Sequence, residues 1–173
     1  AEDLLDFVAM ATVCDVMSLT GENRILVKEG LKRIRHTKNI GLQALMQACN
    51  VQPENISAYH FGYVLGPCVN ATGRLDTARH ALRLFETGQE TEAEEIARDL
   101  VDLNQERKEL TLQGVEMAKK LCEEGGYEND PILVLFLPDV HESIAGLIAG
   151  RIREMYNRPV FVLTPSSPRV STN

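Results

Sequence analysis

Residues 66–75 (Gly-Pro-Cys-Val-Asn-Ala-Thr-Gly-Arg-Leu) bring together groups suited to holding an anion. Glycine and proline specify backbone shape, so the stretch reads as a formed loop opening a helical run over 76–85. From such a backbone Asn70 and Arg74 offer amide and guanidinium donors to a phosphate or carboxylate. The alternative is a helix–helix turn with Arg74 in solvent. A second candidate is Asp15, in a segment (residues 3–19) that is apolar on nearly every face after Asp6. That pattern predicts a buried helix, and a buried carboxylate needs a cation, a metal or backbone donors; otherwise Asp15 caps a neighbouring segment. His141 follows the apolar run PILVLFL, at the strand end where open α/β sheets bind ligands; it reads equally as a polar loop histidine. Lys28, Lys32, Arg33, Arg35, His36 and Lys38 form a basic run at the end of a helix. Such a run complements the helix dipole, or tracks phosphates.

The elements that must position these groups follow from periodicity. Thr20 is an expected N-cap for a helix over 22–34, and a short amphipathic helix covers 40–49. Thr91-Glu92-Ala93-Glu94 has the form of a capping box and launches a helix that need not stop before Gly125-Gly126. Its middle, residues 104–109, is polar on all faces, as in a helix bridging two domains. Beyond it, PILVLFL (131–137) and PVFVL (159–163) read as buried strands flanking a helix over 143–155, with Ser143 as N-cap. Gly146, Ala149 and Gly150 give that helix a small face for packing on the sheet. A strand–helix–strand unit predicts parallel strands. The expected fold is mixed α/β: a mostly helical first part, a long bridging helix, then a βαβ unit. The expected boundaries are 1–90, 91–125 and 126–173.

Bulk properties narrow the function classes. The chain has 173 residues, 44% hydrophobic and 25% charged, with net charge −7. No global basic field advertises nucleic-acid binding, so an anionic ligand needs a local cluster of cations. The four cysteines, Cys14, Cys49, Cys68 and Cys122, show no metal-ligand spacing and suit a reducing cytoplasm. No run reaches membrane-span length, so no membrane partner is expected. Both ends read as cut, so an internal segment of a longer protein is expected.

Residues 8–19 (VAMATVCDVMSL) resemble the fourth motif of the DHH phosphoesterase superfamily. The stretch TGENR at 20–24, the segment 66–75, HESIAGLIAGR at 141–151 and YNRPV at 156–160 are similar to its RecJ branch. The resemblance spans nearly all 173 residues in order. It implies the end of a DHH domain, a long helix and the start of the DHH-associated domain. It also implies a 5′-to-3′ single-stranded-DNA exonuclease of DNA repair and recombination, using two Mn²⁺ or Mg²⁺ ions. In that family Asp15 would be a metal ligand, and Asn70, Gly73 and Arg74 would line the cleft and hold substrate. His141 (catalytic) and Arg151 (substrate-binding) would act from the associated domain. The family's Asp-His-His motif would lie before Ala1 and a glycine-rich motif after Leu163, so this segment alone is expected to be inactive. Cys68 stands where the family usually carries Arg, which would remove a phosphate contact. Alternatives are a phosphoesterase acting on cyclic dinucleotides or short oligonucleotides, and a non-catalytic nucleic-acid-binding relative. The sequence is silent on oligomeric state.

Overall fold

The computed structural model describes residues 4–75 and 77–165, without the side chains of Arg74, Leu75 and Glu128. In order come α1 (Leu5–Cys14), α2 (Gly21–Ile34), α3 (Ile40–Ala48), the short α4 (Ala58–His60), a π-helical turn (Phe61–Leu65) and α5 (Gly66–Leu75). They are followed by α6 (Ala78–Glu86), α7 (Glu90–Gly125), β1 (Leu133–Phe136), α8 (Glu142–Tyr156) and β2 (Val160–Leu163). The chain divides into two compact units, 1–104 and 105–173. The expected mixed α/β class holds, with a long helix and two parallel strands.

The first unit is a helical bundle around Phe61, Ile34, Leu42, Leu45, Leu65, Leu84 and Leu100, all buried. Close approach decides its glycines. A β-carbon on Gly41 would run into the Leu84 carbonyl, and one on Gly30 into Ala9, so α3 meets α6 and α2 meets α1 with backbones nearly touching. The buried carboxylate of this unit is Asp6, not Asp15. Its Oδ2 accepts from Thr37 Oγ1 at 2.8 Å and its Oδ1 from the Phe7 amide at 3.0 Å, which satisfies the charge.

Several local expectations change. The helix expected over 3–19 stops at Cys14. The expected loop over 66–75 is the helix α5, continuous with the π turn before it. Pro67 lacks an N–H and breaks an α-helical ladder; the widened turn, with Gly66 N–H donating to the Phe61 carbonyl, absorbs that break. The capping box expected of Thr91 and Glu94 does not form, because α7 already begins at Glu90 and Thr91 lies inside the helix; the acidic residue that secures this end is Glu92. It is held by Arg83, Nε to Oε1 at 2.6 Å and Nη2 to Oε2 at 3.0 Å, and by the Thr87 hydroxyl. The middle of α7 is not wet on all faces, since Asn104 is buried with its amide donating to Cys68 Sγ at 3.5 Å.

The second unit packs Val115, Ala118 and Cys122 of α7 with Leu133, Leu135, Ile144, Ile148 and Ile152. β1 and β2 are parallel, Leu133 opposite Val160 and Leu135 opposite Val162. The strands are buried on one face only, because Val134, Phe136, Phe161 and Leu163 are exposed. The helix α8 begins at Glu142 with His141, rather than Ser143, as N-cap. Its packed face is Ile144, Ile148 and Ile152, a row at spacing four. Gly146 and Gly150 have no neighbouring atom where a β-carbon would stand, so the small face is not the packed one.

Candidate functional site

Asp15 is the C-cap of α1, and it is exposed. The helix ends in a Schellman turn: Met17 N–H donates to Thr12 O and Val16 N–H to Val13 O, both at 3.1 Å. The residue that makes the turn is Val16, at φ +54°, a left-handed conformation normally given to glycine. A strained β-branched residue thus fixes how the chain leaves Asp15, and this ended the helix where apolar periodicity predicted its continuation. The Asp15 charge also acts on Cys14, whose thiol pKa is raised first by burial and then by that carboxylate.

The same end of α1 lies against the start of α5. Cys14 Sγ is 3.5 Å from the Phe61 carbonyl, and a β-carbon on Gly62 would stand 3.5 Å from Val13 Cγ1. One on Gly66 would lie 2.5 Å from Cys14 Sγ. Gly66 is therefore required for contact, not for a turn. Asp15 follows Cys14 of this crossing directly in the chain, and Asn70 follows Gly66 by about one turn, roughly 6 Å along the axis. Asn70 and Gly73 are exposed on α5, and no atom lies where a Gly73 β-carbon would stand. Arg74 belongs to α5, but its side chain lies outside the described residues. Cys68 points the other way, into the core, where its Sγ meets Val64 O at 3.3 Å and Asn104 Nδ2 at 3.5 Å.

Asp15 offers one exposed hard oxygen ligand of the kind Mg²⁺ and Mn²⁺ take. Among the described residues no group of three or more His, Cys, Asp or Glu side chains is placed to hold a metal ion. These residues therefore fit a contribution of one ligand to a centre and do not build the centre themselves.

In the second unit His141 is exposed and caps α8. Its Nδ1 accepts from the Ser143 amide at 3.3 Å and lies 2.7 Å from Ser143 Oγ. An Nδ1 that accepts puts the ring proton of neutral His141 on Nε2. The ring is thus set to donate from Nε2, as to a phosphate oxygen, and not to act as a base while it caps. Arg151 is exposed, near Glu154 at 4.0 Å. It stands ten residues beyond His141, about 15 Å along the helix, so the structure does not bring these two candidates together on α8.

Part of the basic run read from the sequence, Lys28, Lys32 and Arg35, forms a row that Arg24 extends. Arg24, Lys28, Lys32 and Arg35 line a groove of about 430 Å³ floored by Leu19, Val27 and Leu31. Their spacing of four, four and three puts them on one face of α2, and that spacing was the available signal. Lys32 is engaged by Glu29 at 2.7 Å, which lowers the Glu29 pKa.

No protein-family model matches the chain. The single-stranded-DNA-specific exonuclease RecJ of Escherichia coli is 38% identical over 169 residues, covering 95% of this chain and 29% of the relative. The RecJ of Thermus thermophilus is 37% identical over 158 residues, 91% of this chain and 23% of the relative. A crystal structure of the Thermus thermophilus RecJ in complex with Mg²⁺ superposes with a TM-score of 0.82 at 35% identity, over 94% of this chain and 25% of that one. This chain is RecJ-like. A structure of exonuclease RecJ bound to manganese gives a TM-score of 0.78 at 33% identity, over 97% of this chain and 44% of that one. The RecJ-like chain thus matches less than a third of the length of its curated relatives. Among the described residues no helix is long and apolar enough to cross a membrane.

Proposed function

We propose that this chain is an internal segment of a metal-dependent, 5′-to-3′ single-stranded-DNA exonuclease of the DHH phosphoesterase superfamily, acting in cytoplasmic DNA repair and recombination. The carrying observation is the 38% identity to a single-stranded-DNA-specific exonuclease across 95% of the chain. In this reading residues 1–90 close the DHH domain, residues 91–125 form the bridging helix, and residues 126–173 open the associated domain. Asp15 supplies one ligand to a Mn²⁺ or Mg²⁺ pair completed by residues outside this segment. When bound, the metals activate water and stabilise the charge on the attacking and leaving oxygens. Asn70 and Arg74 hold a backbone phosphate, with Gly73 leaving room for close approach. His141 donates from Nε2 to a second phosphate oxygen, and Arg151 binds the strand farther along.

The test has two arms. The purified 173-residue chain with Mn²⁺ is expected to leave a 5′-labelled single strand intact. In an intact protein carrying this segment, Asp15→Ala is expected to slow Mn²⁺-dependent digestion about 100-fold or more, the loss of several kcal/mol of transition-state stabilisation. Digestion at an unchanged rate in Asp15→Ala, or cleavage restricted to dinucleotides, would overturn the reading.

A further inference from the structure

Two thiols of the first unit face each other. Cys49 is the C-cap of α3, half-buried, and Cys68 is buried on α5; their sulfurs are 3.8 Å apart. The surroundings favour chemistry between them. The Asn104 amide is aimed at Cys68 Sγ from 3.5 Å and stabilises charge on that sulfur as it develops. Cys49 is the more open of the two, so a small oxidant in solvent meets it first. The other two cysteines are placed differently: Cys14 contacts the Phe61 carbonyl, and Cys122 is buried in the core of the second unit.

We propose that Cys49 and Cys68 form an oxidisable dithiol, a covalent modification site whose oxidant is a hydroperoxide. In the first step Cys49 attacks a peroxide oxygen: the O–O bond breaks, the thiol becomes a sulfenic acid, and the second oxygen leaves as water with the thiol proton. In the second step Cys68 attacks the Cys49 sulfur. An S–S bond forms, the S–O bond breaks, and the hydroxyl departs as water with the Cys68 proton. The sum is two thiols and one hydrogen peroxide giving one disulfide and two waters. A disulfide sulfur separation is about 2.0 Å, so the side chains must close by a little under 2 Å, within reach of a small χ1 rotation and backbone shift. The link would tie the end of α3 to α5, two residues before Asn70.

The experiment is direct, because cleavage at Lys38 and Arg74 leaves both thiols, and no other cysteine, in one tryptic peptide of residues 39–74. The native 173-residue chain is treated with dilute hydrogen peroxide, its remaining thiols are alkylated, and the peptide is weighed. The expected product is lighter than the untreated peptide by two hydrogens, resists alkylation, and takes two alkyl groups after reduction. The same peroxide treatment in urea is expected to give the link several-fold more slowly, since folding supplies the proximity. Cys49→Ser and Cys68→Ser should each abolish it; the half-buried Cys49→Ser is the variant safe for folding. A native peptide that still takes two alkyl groups, that carries oxygen on one sulfur without a link, or that links equally fast in urea would overturn the proposal.

Discussion

At the scale of single residues, the position that matters most is one that does no chemistry. Val16 adopts a left-handed conformation while 88% exposed, so its side chain gains little packing in return for the strain. Relieving it by Val16→Gly is expected to stabilise the chain by about 1 kcal/mol, the cost of a left-handed β-branched residue less the entropy of glycine. Urea unfolding of the two proteins measures this, and a destabilised variant would show that Val16 is not strained. Gly66 lies at the other side of the same crossing. Gly66→Ala would place a β-carbon 2.5 Å from both Cys14 Sγ and the Phe61 carbonyl. Backbone cannot yield as a flexible side chain does, so a loss of about 1–3 kcal/mol is expected in the same assay. Gly73→Ala, with open space around it, is the matched control. Asp15 was singled out as a buried carboxylate from its type and its neighbours, and it is exposed, because periodicity cannot see a turn made without glycine.

Elements here are joined by a few polar latches whose behaviour with pH follows from their partners. The α6–α7 junction depends on Glu92, whose pKa is lowered first by its hydrogen bond to Arg83 and then by that from Thr87. A carboxylate with a folded pKa below its unfolded one contributes stability above the unfolded value. That contribution is lost as pH falls through the ordinary value of 4.5 towards the folded one. Glu92→Gln is therefore expected to remove part of the acid sensitivity of the thermal midpoint below pH 4.5 and to lower the midpoint slightly at neutral pH. Parallel pH profiles of wild type and variant would refute the latch. The sequence placed Glu92 between the expected capping pair Thr91 and Glu94 and gave it no role of its own; finding its partners required Arg83, nine positions earlier, to be brought alongside by the turn at Thr87. The helix α5 shows the reverse error. Its glycines and proline signal a loop by local propensity, yet packing against α1 and a π turn make a helix of them.

For the molecule as a whole, two cores share one long helix, Ala93, Ile96, Ala97 and Leu100 serving the first and Val115, Ala118 and Cys122 the second. In the second core Ile148 is fully buried, and Ile148→Ala is expected to cost that unit about 2–5 kcal/mol. Amide exchange in β1 and β2 would report it, and unchanged protection there would place the core elsewhere. What the sequence determined alone was the class of fold, the long helix, the parallel pair of strands, and the residue types that mark a RecJ-like chain. These are legible because periodicity and short motifs are local. Tertiary structure decided the rest: which carboxylate is buried, Asp6 with Thr37; which glycines are obligatory, Gly66 and Gly41; and which way Cys68 faces. Each of these depends on an atom supplied from tens of residues away, and no local pattern records what a side chain will meet when the chain closes on itself.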